Sequence, residues 1–124
     1  MTTSTPTRAM RAVMSKDREA WLDCFTPDAV LRDPVGGSAL DPDGTGLVGR
    51  EALAGFWDAV VAPAASVAFE VREEHVSGRS VARVATVEIG RSEGEPLRYD
   101  GVFVYDLDEG DRIQKLCGYF ELPE

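Results

Sequence analysis

The stretch LRDPVGGSALDPDGTGLVGREAL, Leu31 to Leu53, holds three aspartates in two different settings. Asp41 and Asp43 sit among glycines and a proline, the residue types that make turns. Asp33 follows Val30 and Leu31, which read as strand, and precedes Pro34, which ends one. Side chains alternate along a strand, so Asp33 shares a face with Leu31 and Ala29, while Arg32 sides with Val30. If Leu31 faces the interior, Asp33 faces it too. A carboxylate in an apolar cavity has its charged form destabilised and its pKa raised. Such a group suits proton transfer near neutral pH. The same aspartate also fits a cap for the turn Pro34 to Gly37, and on pattern alone the cap is the simpler account.

Other chemistries lack their residues. His75 is the only histidine, so a zinc site, which needs several close His or Cys ligands, is not expected. A Ser-His-Asp triad would have to use His75, which sits beside Glu73 and Glu74 near a strand end and reads as solvated. Cys24 and Cys117 are the only cysteines and have no partner base, so they read as structural thiols. GGSALDPDGTG lacks the Lys-Ser/Thr of a phosphate loop and reads as a turn. The net charge of -9 argues against nucleic acid and anionic membrane surfaces, which require a basic face. No run of about 18 apolar residues occurs, and MTTSTPTRAM lacks the apolar core of a secretory signal. The expectation is a cytoplasmic protein with reduced thiols and no metal.

The elements that must position Asp33 can be read along the chain. With 124 residues, 44% hydrophobic and 28% charged, it is long enough for one self-sufficient core, a single domain over 1–124. Residues 1–6 are expected to fray. Ala9, Met10, Val13 and Met14 give one helical stripe. Asp17 suits the N-cap of a short second helix carrying Trp21, Leu22 and Phe25, stopped by Pro27. A short strand, Ala29 to Asp33, follows. A third helix begins near Arg50, with Leu53, Phe56, Trp57, Val60 and Val61 on one side, and ends at Pro63. The second half alternates as strands: Val67 to Val71, Val81 to Ile89, Leu97 to Tyr105, then a turn at Asp108 to Asp111 and a last strand, Ile113 to Leu122. Helices first and an antiparallel meander after them predict an α+β fold, three helices packed on one face of a strongly curved, mostly antiparallel sheet. Val84, Val102 and Val104 fall on the other face, where an apolar patch predicts a homodimer.

This order, with FTPDAVLRDPVG at Phe25 to Gly36 and DRIQKLCGYF near the end, resembles the nuclear transport factor 2-like superfamily. That group includes the SnoaL-like polyketide cyclases and the bacterial Δ5-3-ketosteroid isomerase. DPVG, Asp33 to Gly36, looks like the isomerase motif whose aspartate is the general base. SALDPDGTG looks like an insertion. The resemblance implies a cone-shaped fold and a cavity that takes a small apolar ligand, with Phe25, Trp57, Tyr99, Phe103 and Phe120 lining it and Gly101 and Gly118 leaving room. It implies catalysis by Asp33 without a cofactor. The isomerase stabilises its dienolate with a tyrosine and a protonated aspartate. Here the tyrosine falls on Ala9, a supporting tyrosine on Trp57, and the aspartate on Asp100 by identity or Gly101 by strand parity. Tyr99 would then be the compensating hydroxyl. Two function classes follow: an enzyme acting on a hydrophobic ring-containing carbonyl compound, steroid- or polyketide-like, or a binding protein that keeps the cavity without the chemistry. An epoxide hydrolase of the limonene type would use Arg83, but its carboxylate positions fall near Ala85 and Gly118.

Overall fold

The computed structural model describes residues 4–123. Three short helices, α1 (Thr5–Met14), α2 (Arg18–Asp23) and α3 (Arg50–Phe56), cover one face of a six-stranded sheet. The strands are β1 (Phe25–Arg32), β2 (Leu47–Val48), β3 (Ser66–Ser77), β4 (Ser80–Gly90), β5 (Leu97–Leu107) and β6 (Ile113–Tyr119). Their spatial order is β2-β1-β6-β5-β4-β3. All neighbours are antiparallel except β1 and β6, which run parallel. The expected α+β architecture is therefore the observed one.

The helix starts follow local chemistry. Asp17 caps α2, its carboxylate accepting from the Ala20 N–H at 3.1 Å. Ser4 caps α1 in the same way, and Pro6 lies in its first turn, where a fixed φ and a missing N–H cost nothing. Thr5 and Pro6 are buried, which corrects the expectation of fraying for residues 4–6; residues 1–3 lie outside the described residues. The third helix widens at its end into a π-helical segment, Trp57–Val61, where the Ala62 N–H reaches the Trp57 carbonyl. Lys16 donates to the carbonyls of Val61, Ala62 and Ala64, closing the C-terminal end that the wider turn leaves open. Leu53, Trp57 and Val61 are buried, Phe56 is half-buried and Val60 is 37% exposed. Met14, expected in the α1 stripe, is 43% exposed.

β1 begins earlier than expected, at Phe25, and passes through Pro27. Its pairing with β6 is irregular between Phe25 and Val30, and a proline is tolerated at such a bulge because no ladder N–H is needed there. The last strand stops at Tyr119, short of Leu122. The core between helices and sheet holds Ala29, Leu31, Leu53 and Ile113 with almost no exposure. On the outer face, Val84 and Val104 are half-buried, Val102 is 37% exposed, and Tyr119, paired with Val102, is 50% exposed.

Candidate active site

The pattern Ala29-Leu31-Asp33 holds in three dimensions. Ala29 and Leu31 are buried, and Asp33, one residue past the end of β1, lines a cavity between the helices and the sheet. The cavity is about 90 Å³ in volume. Ala9, Met10 and Val13 of α1 and Trp21 of α2 form its helical wall, with Phe56, Val60 and Val61 beside them. Val67, Phe69 and Val87 come from β3 and β4, and Tyr99, Phe103, Tyr105 and Leu116 from β5 and β6. Apart from Asp33, the only oxygen-bearing side chains among these are the two tyrosines.

Asp33 is half-buried because it faces the cavity, while the atoms around it are apolar. Desolvation raises its pKa from the ordinary carboxyl range to about 7, and no hydrogen bond or cation among the described residues offsets it. Its place is made by a glycine. A Cβ on Gly118 would sit 2.7 Å from Asp33 Oδ1 and 2.8 Å from Phe120 Cε1, and the Val35 N–H donates to the Gly118 carbonyl at 2.8 Å. Gly118 lets the carboxyl lie flat across β6.

The expectation that Gly101 and Gly118 leave empty space needs correction. A Cβ on Gly101 would meet Phe120 Cβ at 3.0 Å and Phe103 Cε2 at 3.3 Å. The space over both glycines is filled by Phe103, Phe120 and the Asp33 carboxyl. The glycines let aromatic rings lie on the sheet rather than opening a hole above it.

Of the five expected ligand-contact aromatics, Tyr99 and Phe103 line the cavity. Phe25, Trp57 and Phe120 do not, and stand one layer behind. Phe25 and Trp57 pack on Trp21 with ring centroids 4.7 Å and 5.5 Å away, so Trp21 is the ring that reaches the cavity. Phe120 stacks on Tyr99 at 4.6 Å and leans on Phe103 at 5.8 Å. These three rings fix the orientation of the lining without being part of it. Strand parity identifies the β5 face: Tyr99, Gly101, Phe103 and Tyr105 face inward, and Asp100 points out to accept from Thr86 Oγ1 at 2.5 Å, beside Arg72. Ala9 lines the cavity with a methyl group.

Tyr105, which strand parity with Tyr99 and Phe103 turns toward the pocket, lines the cavity as well. Burial pushes the Tyr99 phenol up, and the neighbouring Asp33 charge adds to that. Burial also raises Tyr105; Arg83 opposes the shift and Asp33 reinforces it. No hydrogen bond to either hydroxyl is present among the described residues. The arrangement therefore offers one proton acceptor and two neutral hydroxyl donors around an apolar space, which suits abstraction of a proton beside a carbonyl whose oxygen becomes negative. Arg83 pairs with Glu74, Thr7 and Met10 at the far side and does not join Asp33 in a water-activating set. His75 is exposed on β3 beside Glu73. No cluster of metal-ligating side chains occurs among the described residues, and no helix there is long and apolar enough to cross a membrane.

Residues 7–116 match the SnoaL-like domain. No curated protein matches the chain. Among solved structures, the Δ5-3-ketosteroid isomerase from Mycobacterium sp. is 30% identical, with a TM-score of 0.87 over 96% of this chain and 95% of that one. RV0760c from Mycobacterium tuberculosis, solved in complex with estradiol-17β-hemisuccinate, is 28% identical, with a TM-score of 0.86 over 94% and 91%. A computationally designed 17-OHP binder is 31% identical, with a TM-score of 0.85 over 94% and 88%. With the family match over most of the chain and these folds alike, the chain belongs to the SnoaL-like family of the nuclear transport factor 2-like superfamily.

Proposed function

We propose that the chain binds a hydrophobic, ring-containing carbonyl compound, steroid-like or polyketide-like, and that Asp33 is the general base of a cofactor-free proton transfer. The observation that carries this reading is the unpartnered Asp33 carboxyl in an apolar cavity, with a pKa of about 7. Half-charged at neutral pH, it is able both to take a proton and to give it back. In a β,γ-unsaturated ketone the carboxylate removes a proton from the carbon between carbonyl and double bond, the electron pair moves onto oxygen as a dienolate, and the proton returns to the far carbon of the former double bond as the carbonyl re-forms. Tyr99 and Tyr105 are the hydroxyls available to the developing oxyanion. The steroid complex of RV0760c and the isomerase from Mycobacterium sp. support the ligand class.

A second reading, a binding protein without turnover, is favoured by Ala9 and Gly101. Both stand where the resemblance implies oxyanion donors, and losing one such donor typically costs about 10² to 10³ in rate. Slow turnover is the expectation. The test is dienone absorbance from a Δ5-3-ketosteroid with wild type and Asp33→Asn side by side, together with a binding titration. Slow isomerisation abolished in the variant, with binding spared, supports the enzyme. Binding with no turnover in either supports the second reading. No binding of any apolar carbonyl compound removes both.

The reading includes a cytoplasmic homodimer that buries Val84, Val102, Val104 and Tyr119. Its support is the exposed Val102–Tyr119 pair on the outer face. Sedimentation at micromolar concentration showing only a 13.5 kDa species would refute the dimer.

A further inference from the structure

Among the described residues, Arg83 is the one arginine whose side chain is almost wholly buried, 7% exposed, on the inner face of the sheet. Its Nε donates to Glu74 at 2.8 Å, and Nη2 donates to Thr7 Oγ1 at 2.7 Å. The partner of Nη1 is the Met10 sulfur at 3.4 Å, a weak acceptor that leaves a strong donor underused. Burying a guanidinium group is costly unless its donors are satisfied.

The position of this group relative to Asp33 follows from the register. Asp33 lies against Gly118, Gly118 pairs with Phe103, and Phe103 pairs with Arg83. Asp33 and Arg83 therefore end one cross-strand row, three strand spacings apart, about 14 Å along the sheet. Phe103 is the floor between them. On the Arg83 side of α1 lies a groove of about 210 Å³. It shares Met10 and Phe69 with the Asp33 cavity, so these two side chains separate them, Phe69 against Phe103 of the sheet and Met10 from α1. Arg11 and Arg83 both line the groove, and no carboxylate does, in a chain of net charge -9. The Asp33 cavity alone is about 90 Å³, against roughly 300 Å³ or more for sites that enclose a drug-sized ligand. An unbranched thioether such as Met10 is the wall most easily displaced.

We propose that the groove is a second subsite, which takes a carboxylate at the distal end of a ligand whose carbonyl and rings occupy the Asp33 cavity. This rests on the cavity-binding reading. With Met10 swung aside, cavity and groove become one channel with Asp33 at one end and Arg83 at the other. The carboxylate replaces the sulfur at Nη1, on the edge of the guanidinium that Glu74 does not use. Arg83 is then the determinant that selects acidic ring ketones over neutral ones.

The probes are a 3-ketosteroid with a carboxyalkyl chain at the opposite end and its methyl ester, titrated by quenching of tryptophan fluorescence at low ionic strength. The acid should bind wild type about tenfold or more tightly than the ester, the scale of a charge-assisted hydrogen bond in a sheltered site. Arg83→Met should erase that preference by weakening the acid about tenfold more than the ester, whereas a purely structural role would weaken both ligands alike. Equal binding of acid and ester by wild type overturns the proposal and leaves the cavity reading intact. So does a preference that survives Arg83→Met. If neither ligand binds folded wild type, both fall. The acid–ester comparison needs no variant, so it stands even if the Met variant does not fold.

Discussion

Asp33 opens the loop between β1 and β2 and Asp41 lies in its middle, and both are withdrawn from bulk water. Their surroundings differ in kind. Asp41 is 8% exposed, but its Oδ2 accepts from the Gly46 N–H at 3.0 Å, and its carbonyl accepts from Ser38 and Gly44. Gly37, at φ 108°, lets the loop close on that carbonyl, since a Cβ there would sit 2.8 Å from it. Every polar group around Asp41 serves the turn. Asp33 faces rings and aliphatic side chains and receives no hydrogen bond among the described residues. One acid is used to build the loop; the other is held, at a cost in stability, where its proton is free to move. Burial alone does not separate structural from chemical carboxylates. The presence or absence of donors does.

The largest expected effect is a stability difference of opposite sign at the two sites. The folded-state pKa of Asp33 lies above its unfolded value, so the folded state holds the proton more tightly. Stability therefore falls as pH rises from about 4 to about 7 and is level above that, at up to about 1.4 kcal/mol per pH unit. Asp33→Asn should remove this slope and be more stable than wild type at pH 8 by about 3 kcal/mol or more, the slope summed over about three pH units. Urea unfolding of both proteins at pH 5 and pH 8 measures it, because other titrating groups cancel in the difference. A variant less stable than wild type at pH 8 would break the contrast.

Gly118→Ala comes next. The added methyl must displace either the Asp33 carboxyl or the Phe120 ring, and overpacking of this kind costs about 1 to 3 kcal/mol. It should also shift the Asp33 titration, since the carboxyl loses its seat. Unchanged stability and an unchanged midpoint would mean that Gly118 does not hold the site. The smallest effect is expected at Asp41→Ala, a loss of about 1 kcal/mol or slightly more from the abandoned Gly46 N–H. Ligand affinity and the Asp33 midpoint should stay as they are. If either moves, the loop and the cavity are coupled and the two acids are not independent.

Strand arithmetic made much of this site legible in the sequence. The alternation Ala29-Leu31-Asp33 located the carboxyl, and the alternation along β5 turned Tyr99, Phe103 and Tyr105 inward and Asp100 outward. What stayed illegible depended on docking between elements. Phe25 and Trp57 are apolar and well placed on their own segments, yet whether they touch the cavity depends on how α2 and α3 meet, and Trp21 took that place. The π register of Trp57–Val61 has no signature in WDAVV. The short β2 was missed because two residues carry no period. Arg83 read only as an epoxide-hydrolase arginine; its burial became visible only once α1 lay across it with Thr7 and Met10.

The most direct test of the difference between the two acids is a carboxyl carbon NMR titration of wild type, with Asp33 assigned by its absence in Asp33→Asn. The account predicts a midpoint near pH 7 for Asp33, moving when an apolar ring ketone is added. A midpoint at or below the ordinary value of about 3.9, unaffected by ligand, would contradict it and return Asp33 to the role of a turn cap.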